Sequence, residues 1–147
     1  METGVVVPPG DVQAVSAALG LSDWLRGPVP EVTLEDAETL RTHVGAEALE
    51  VPVEAFKRGL EVELEHGSTF PDANVTNGHP VLTAQIVLAH LKESLLYYEA
   101  LDVAELEGDL LKAIQAGNPD KTGKVYRKLL QARITLAERQ LKSLDRS

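Results

Sequence analysis

The sequence predicts a mainly α protein: a small bundle of about five helices with an extended N-terminal arm. Three observations predict it. Apolar residues recur in steps of three and four through most of the chain, which is the repeat of one helix face. The periodic runs are bounded by capping and breaking residues, such as Thr33, Gly45, Gly117, Asn118 and Pro119. The one strand-like alternation, LEVELE at residues 60–65, falls inside a longer helical pattern.

The chain has 147 residues, of which 44% are hydrophobic, and no cysteine. That length is enough to bury roughly two-thirds of the unfolded surface. Without cysteine there are no disulfides, thiolate metal sites or cysteine nucleophiles, so any metal would use His, Asp and Glu. No window holds 18 consecutive apolar residues, and METGVVVPPGDV lacks the basic residue and unbroken apolar run of a secretory signal. The expectation is therefore a protein of the cytoplasm, or of an assembly built there, with no membrane partner.

The net charge of −9 is unevenly spread. Residues 119–147 hold eight Lys and Arg against three Asp and Glu, a net +5, and the remainder carries −14. So acidic a body argues against nucleic acid as a partner. The basic tail fits either a solvated helix face or a docking surface for an acidic partner, with Lys124, Arg127, Lys128, Arg133 and Arg139 as its contact residues.

In chain order, residues 1–32 read as the arm. Asp11 is placed to cap a short helix through about Leu19, which Gly20 would end. Trp24, beside Leu21 and Leu25, is the arm's anchor or its contact with another subunit. A helical core domain is expected over 33–117. Thr33 with Asp36 three residues on makes a capping-box-like start for a helix through about His43, with Leu34, Ala37, Leu40 and Val44 as its apolar side. A second helix is expected over about Val53–His66, where Val53, Phe56, Leu60 and Leu64 keep helical spacing.

Residues 67–79 read as a loop in which Asn77-Gly78 supplies a positive-φ turn, and Asn74 and Thr76 bond the loop to itself. The helix expected over Pro80–Ala100 organises the rest. One stripe along it is Ala84, Leu88, Leu91, Leu95 and Tyr98; another, about 100° round, is Thr83, Ile86, His90, Glu93 and Tyr97. A further amphipathic helix with Val103, Leu106, Leu110 and Ile114 is closed at Gly117. Residues 118–147 read as a basic amphipathic helix, capped by Asn118 and packed on the core or on a partner. Its apolar seam is Leu130, Ile134, Ala137, Leu141 and Leu144, two heptads that are too few for an independent coiled coil and suit either a hairpin with residues 103–116 or a subunit contact.

Glu63 and His66 share a helix face, as do His90 and Glu93. If the two helices pack antiparallel, the four groups converge. They then form a metal-free polar network that fixes helix register, a site for zinc, manganese or iron, or a catalytic acid/base pair. The network is the favoured reading. No G-x-S-x-G, P-loop or H-E-x-x-H accompanies the cluster.

FKRGLEVELEHG (56–67), NVTNGHP (74–80) and TAQIVLAHLKESLLYYEAL (83–101) together resemble a family of small uncharacterised proteins encoded by bacteriophages and bacteria. The resemblance covers the middle third of the chain. It implies a phage-related setting and a shared His and Glu centre, and it transfers no catalytic role. Where that family has an acidic-proline turn ahead of the paired tyrosines, this chain has Ser94-Leu95, from which an unbroken central helix is expected.

The combined expectation is a non-enzymatic structural or protein-interaction protein, a phage virion or accessory component with other protein subunits as partners and no cofactor. The alternative is a metal-dependent hydrolase in which Glu63, His66, His90 and Glu93 hold an ion that activates water. A third reading is a regulator that binds a host protein through its acidic surface.

Overall fold

The computed structural model describes residues 7–24 and 29–146. The chain is mainly α. Among the described residues there are six α-helices and no strand: α1 (Pro9–Ala18), α2 (Leu34–His43), α3 (Val53–Thr69), α4 (Pro80–Glu93), α5 (Tyr97–Gln115) and α6 (Pro119–Asp145). Short 3-10 turns occupy Ala46–Leu49 and Pro71–Ala73. The chain divides into two compact units, Met1–Lys92 and Glu93–Ser147. The division groups α5 with α6, whereas the sequence reading ended its core domain at residue 117.

In the first unit, local signals account for most helix ends. Thr33 caps α2 by accepting from the Asp36 backbone N–H at 3.1 Å, and Gly45 follows the helix at φ +73°. The arm helix starts two residues before the expected Asp11 cap. Pro8 holds an extended conformation, Pro9 sets the first helical φ, and Asp11 sits in the first turn. The arm helix has no buried residue. Leu25, the expected neighbour of Trp24, lies outside the described residues.

The LEVELE segment is helical, because Phe56, Leu60 and Leu64 all bury on one side of α3. They join Ala37 and Leu40 of α2 and Ala84, Val87 and Leu91 of α4 in the core of this unit. Helix α3 runs to Thr69, one turn past the expected end, so Gly67 is helical. The following loop behaves as its residues dictate. Asn77 and Gly78 take φ +50° and +74°. Asn74 Oδ1 accepts from the Asn77 backbone N–H at 3.0 Å and from Thr76 Oγ1 at 3.5 Å.

The expected unbroken helix from Pro80 to Ala100 is two helices. Helix α4 stops at Glu93 and α5 begins at Tyr97. Ser94 Oγ accepts from the Leu96 N–H at 3.2 Å, and its carbonyl accepts from the Tyr97 N–H at 3.1 Å. A serine hydroxyl competing for backbone donors gives the chain a local alternative to helix continuation. Leu95, expected in the apolar stripe, is consequently exposed. The paired tyrosines open α5 and meet edge-on, their ring centroids 5.1 Å apart.

The second unit is a hairpin of α5 and α6. Gly117 turns it at φ +65°, and Asn118 Oδ1 caps α6 by accepting from the Lys121 N–H at 3.1 Å. Glu107 meets Arg133 at 3.3 Å and Glu99 meets Arg139 at 3.4 Å, so the two helices run antiparallel. The acidic side of α5 thereby faces cations of the basic α6.

Candidate functional site

In the first unit, two of the four expected ligands, Glu63 of α3 and His90 of α4, meet across the helix pair. Glu63 Oε1 lies 3.3 Å from His90 Nε2. Both side chains are largely shielded, and a hydrogen bond or, with the imidazole protonated, an ion pair ties the two helices together. His66 shares the face of Glu63 and lines the same cleft, a concavity of about 280 Å³ that also touches Asn74, Thr76, Thr83 and Ile86. Glu93, the last residue of α4, is exposed. Among the described residues no group of three or more His, Asp or Glu is placed to hold a metal ion.

The other polar groups at the cleft have local duties. Thr83 Oγ1 donates to the His79 carbonyl at 2.8 Å, and Thr76 Oγ1 accepts from the Gly78 N–H at 3.4 Å. His79 Nδ1 accepts from the Leu82 N–H at 3.3 Å, a capping contact at the start of α4. Gly67 faces Asn74 so closely that a Cβ there would lie 2.8 Å from Asn74 Oδ1. The cleft is thus held by a self-bonded loop against a helical glycine. Glu63 and His66 line the cleft, and Glu63 fixes the helix pair through its contact with His90 of α4.

Trp24 is a cis anchor. The residue is 6% exposed, and its indole N–H donates to Asp36 Oδ2 at 2.7 Å. The same oxygen accepts from the Ser22 hydroxyl and, at 3.2 Å, from the Ser22 backbone N–H. Burial pushes the Asp36 carboxyl up, but the hydrogen bonds from Ser22, Trp24 and Thr33 outweigh it and hold the group below the usual carboxylate range. Asp36 was legible only as a capping residue. Its second duty, across fourteen residues to Ser22, leaves no local signal.

In the second unit, α6 carries three faces. Val125 and Leu129 are buried, and Ala132 and Leu136 continue that line half-buried. The expected seam is not the hairpin contact. Leu130, Ile134, Leu141 and Leu144 are between 41% and 68% exposed, and Ala137 between them is exposed too. The reason is that α6 offers two apolar lines about 120° apart at 100° per residue, and a single neighbouring helix covers one. The third face is basic. Exposed Lys124, Arg127 and Lys128 border a shallow concavity with Pro119, Asp120 and Gly123. Arg133 and Arg139, by contrast, are engaged with α5.

No helix among the described residues is long and apolar enough to cross a membrane. No curated protein matches the chain, and no solved structure does. Residues 14–107 match a family described as "Protein of unknown function (DUF5661)". This span starts inside the arm helix, ends midway along α5 and leaves α6 outside, a wider reach than the middle-third resemblance. The chain therefore belongs to the DUF5661 family of proteins of unknown function.

Proposed function

We propose that this protein is a non-enzymatic interaction component of a larger assembly, in a phage-related setting a virion or accessory protein. The observation that carries the reading is the uncovered apolar seam of α6. Scattered exposed leucines are ordinary, but a seam at heptad spacing on a 27-residue helix matches the surface of another helix. The phage setting rests on the resemblance of the central segments.

The test is site-specific photocrosslinking in cells that express the gene, from Ile134 and Leu141, with exposed Gln85 of α4 as control. The expected result is defined adducts from the seam and none from Gln85. Absence of seam adducts removes the reading.

A second reading rests on the Glu63–His90 contact. With His66 in the same cleft, these groups would contribute to a zinc, manganese or iron site for hydrolysis. Elemental analysis decides it: less than about a tenth of an ion per chain, with no thermal shift on adding zinc or manganese, eliminates this alternative.

A further inference from the structure

We infer that the seam of α6 pairs with the same seam of a second copy, in parallel, as a two-stranded coil. This deepens the interaction reading and rests on it. Written as heptads, Ile134 and Leu141 take the a positions and Leu130, Ala137 and Leu144 the d positions. Ile134 is a β-branched residue at a and Leu130 and Leu144 are leucines at d, the choices that favour two strands, while Leu141 at a and Ala137 at d are neutral to that choice. Arg127 occupies the preceding a position, which ends the apolar seam on its N-terminal side.

The flanks determine both the partner and its direction. One flank of the seam carries Arg133 and Gln140, and the other carries Gln131, Glu138 and Asp145. In a parallel pair, a g residue meets the e′ residue five positions on in the neighbour. Arg133 of each copy then meets Glu138 of the other, and Gln140 meets Asp145, twice by symmetry. An antiparallel pair brings like flanks together, so Arg133 finds no carboxylate and Glu138 no cation. Arg133 already contacts Glu107 of its own α5, but a guanidinium has five donors and can hold a second carboxylate.

Two further observations fit a second copy. The unit 93–147 holds nine Lys and Arg and nine Asp and Glu, so two hairpins approach without net repulsion, although the whole chain carries −9. The hairpin is also poor in core. Its buried apolar residues among those described are Tyr98, Ala113, Val125 and Leu129, while α5 exposes Leu111 and Ile114 in addition to the α6 seam. Two helices bury one line between them, and pairing of hairpins buries the second.

The chain has no cysteine, so single-cysteine variants of the full chain report the pairing directly. Light scattering is expected to give a dimer. Leu141→Cys is expected to form a disulfide-linked dimer on mild oxidation, since only a parallel coil brings both copies of this a position within bonding range. Ile134→Glu, at a site already 52% exposed, is expected to give a monomer with unchanged helicity by circular dichroism. Glu138→Arg is expected to weaken the dimer about tenfold, and the double exchange Arg133→Glu with Glu138→Arg to restore it. A wild-type monomer at every concentration overturns the inference. So does a mixed Leu130→Cys and Leu141→Cys disulfide without the Leu141→Cys homodimer, which marks an antiparallel coil. Seam crosslinks to a different protein, with a monomeric wild type, overturn self-pairing and leave the broader reading standing; no seam crosslinks remove both.

Discussion

The indole N–H of Trp24 reaches the Asp36 carboxylate at 2.7 Å, twelve residues along the chain, and the acceptor is the residue whose own backbone N–H is capped by Thr33. One aspartate therefore serves the start of α2 and the attachment of the arm at once. A buried carboxylate with several donors is costly to leave uncompensated when its charge or its partners are removed.

That arrangement makes stability depend on pH. Asp36 titrates below its unfolded value in the folded protein, so its contribution is complete above the unfolded value near 4 and is lost as pH falls through the lower folded value. Urea midpoints at about pH 6 and about pH 3 should fall further in the wild type than in Asp36→Asn. At about pH 6, Asp36→Asn should be less stable by about 1–3 kcal/mol. Equal pH slopes in the two proteins would contradict this account.

Helix α3 is joined to α4 through Glu63 and His90. His90→Ala should lower stability by about 1–3 kcal/mol, because Glu63 keeps its burial and loses this contact. Glu63→Gln with His90 intact should cost less, since the amide still hydrogen-bonds the ring. Chemical denaturation of both variants checks the order; the reverse order would mean that the contact is incidental.

Gly67 illustrates a glycine held for space. On propensity alone, alanine would stabilise a helix interior by about 1 kcal/mol. Here the added methyl meets Asn74 Oδ1 at 2.8 Å, and Asn74 is already bonded to the Asn77 N–H, so it cannot move without releasing the turn. Gly67→Ala should therefore be neutral to destabilising by about 1–2 kcal/mol, and amide exchange of Asn77 should quicken. A stabilised variant with unchanged exchange would show that the loop yields freely.

Asn118 begins α6 by accepting from the Lys121 N–H. Asn118→Ala should cost about 1 kcal/mol, measured as a lower thermal midpoint, whereas Asn118→Asp should retain most of the cap.

Several features follow from residues next to one another, and these were legible in the sequence. Thr33 and Asn118 accept from donors three residues on, Asn77-Gly78 turns with positive φ, and Phe56, Leu60 and Leu64 bury together on α3. Each is decided within one or two helical turns, where sequence spacing equals spatial neighbourhood. The Glu63–His90 contact was partly legible, because the i, i+3 pairs named the faces; which members meet was not, because that depends on how α3 and α4 cross.

What only the tertiary structure decided are choices between near-equal local options. Ser94 could sit in a helix or break one, and its hydroxyl bonds to Leu96 N–H where the chain turns. Helix α6 has two apolar lines; the sequence offered Leu130, Ile134, Ala137, Leu141 and Leu144 as the seam of either a hairpin or a subunit contact, and the hairpin buries Val125 and Leu129 instead. A helix's composition determines that it has apolar faces; which face is covered depends on where the neighbouring backbone lies, and that is a property of the packed hairpin rather than of either helix.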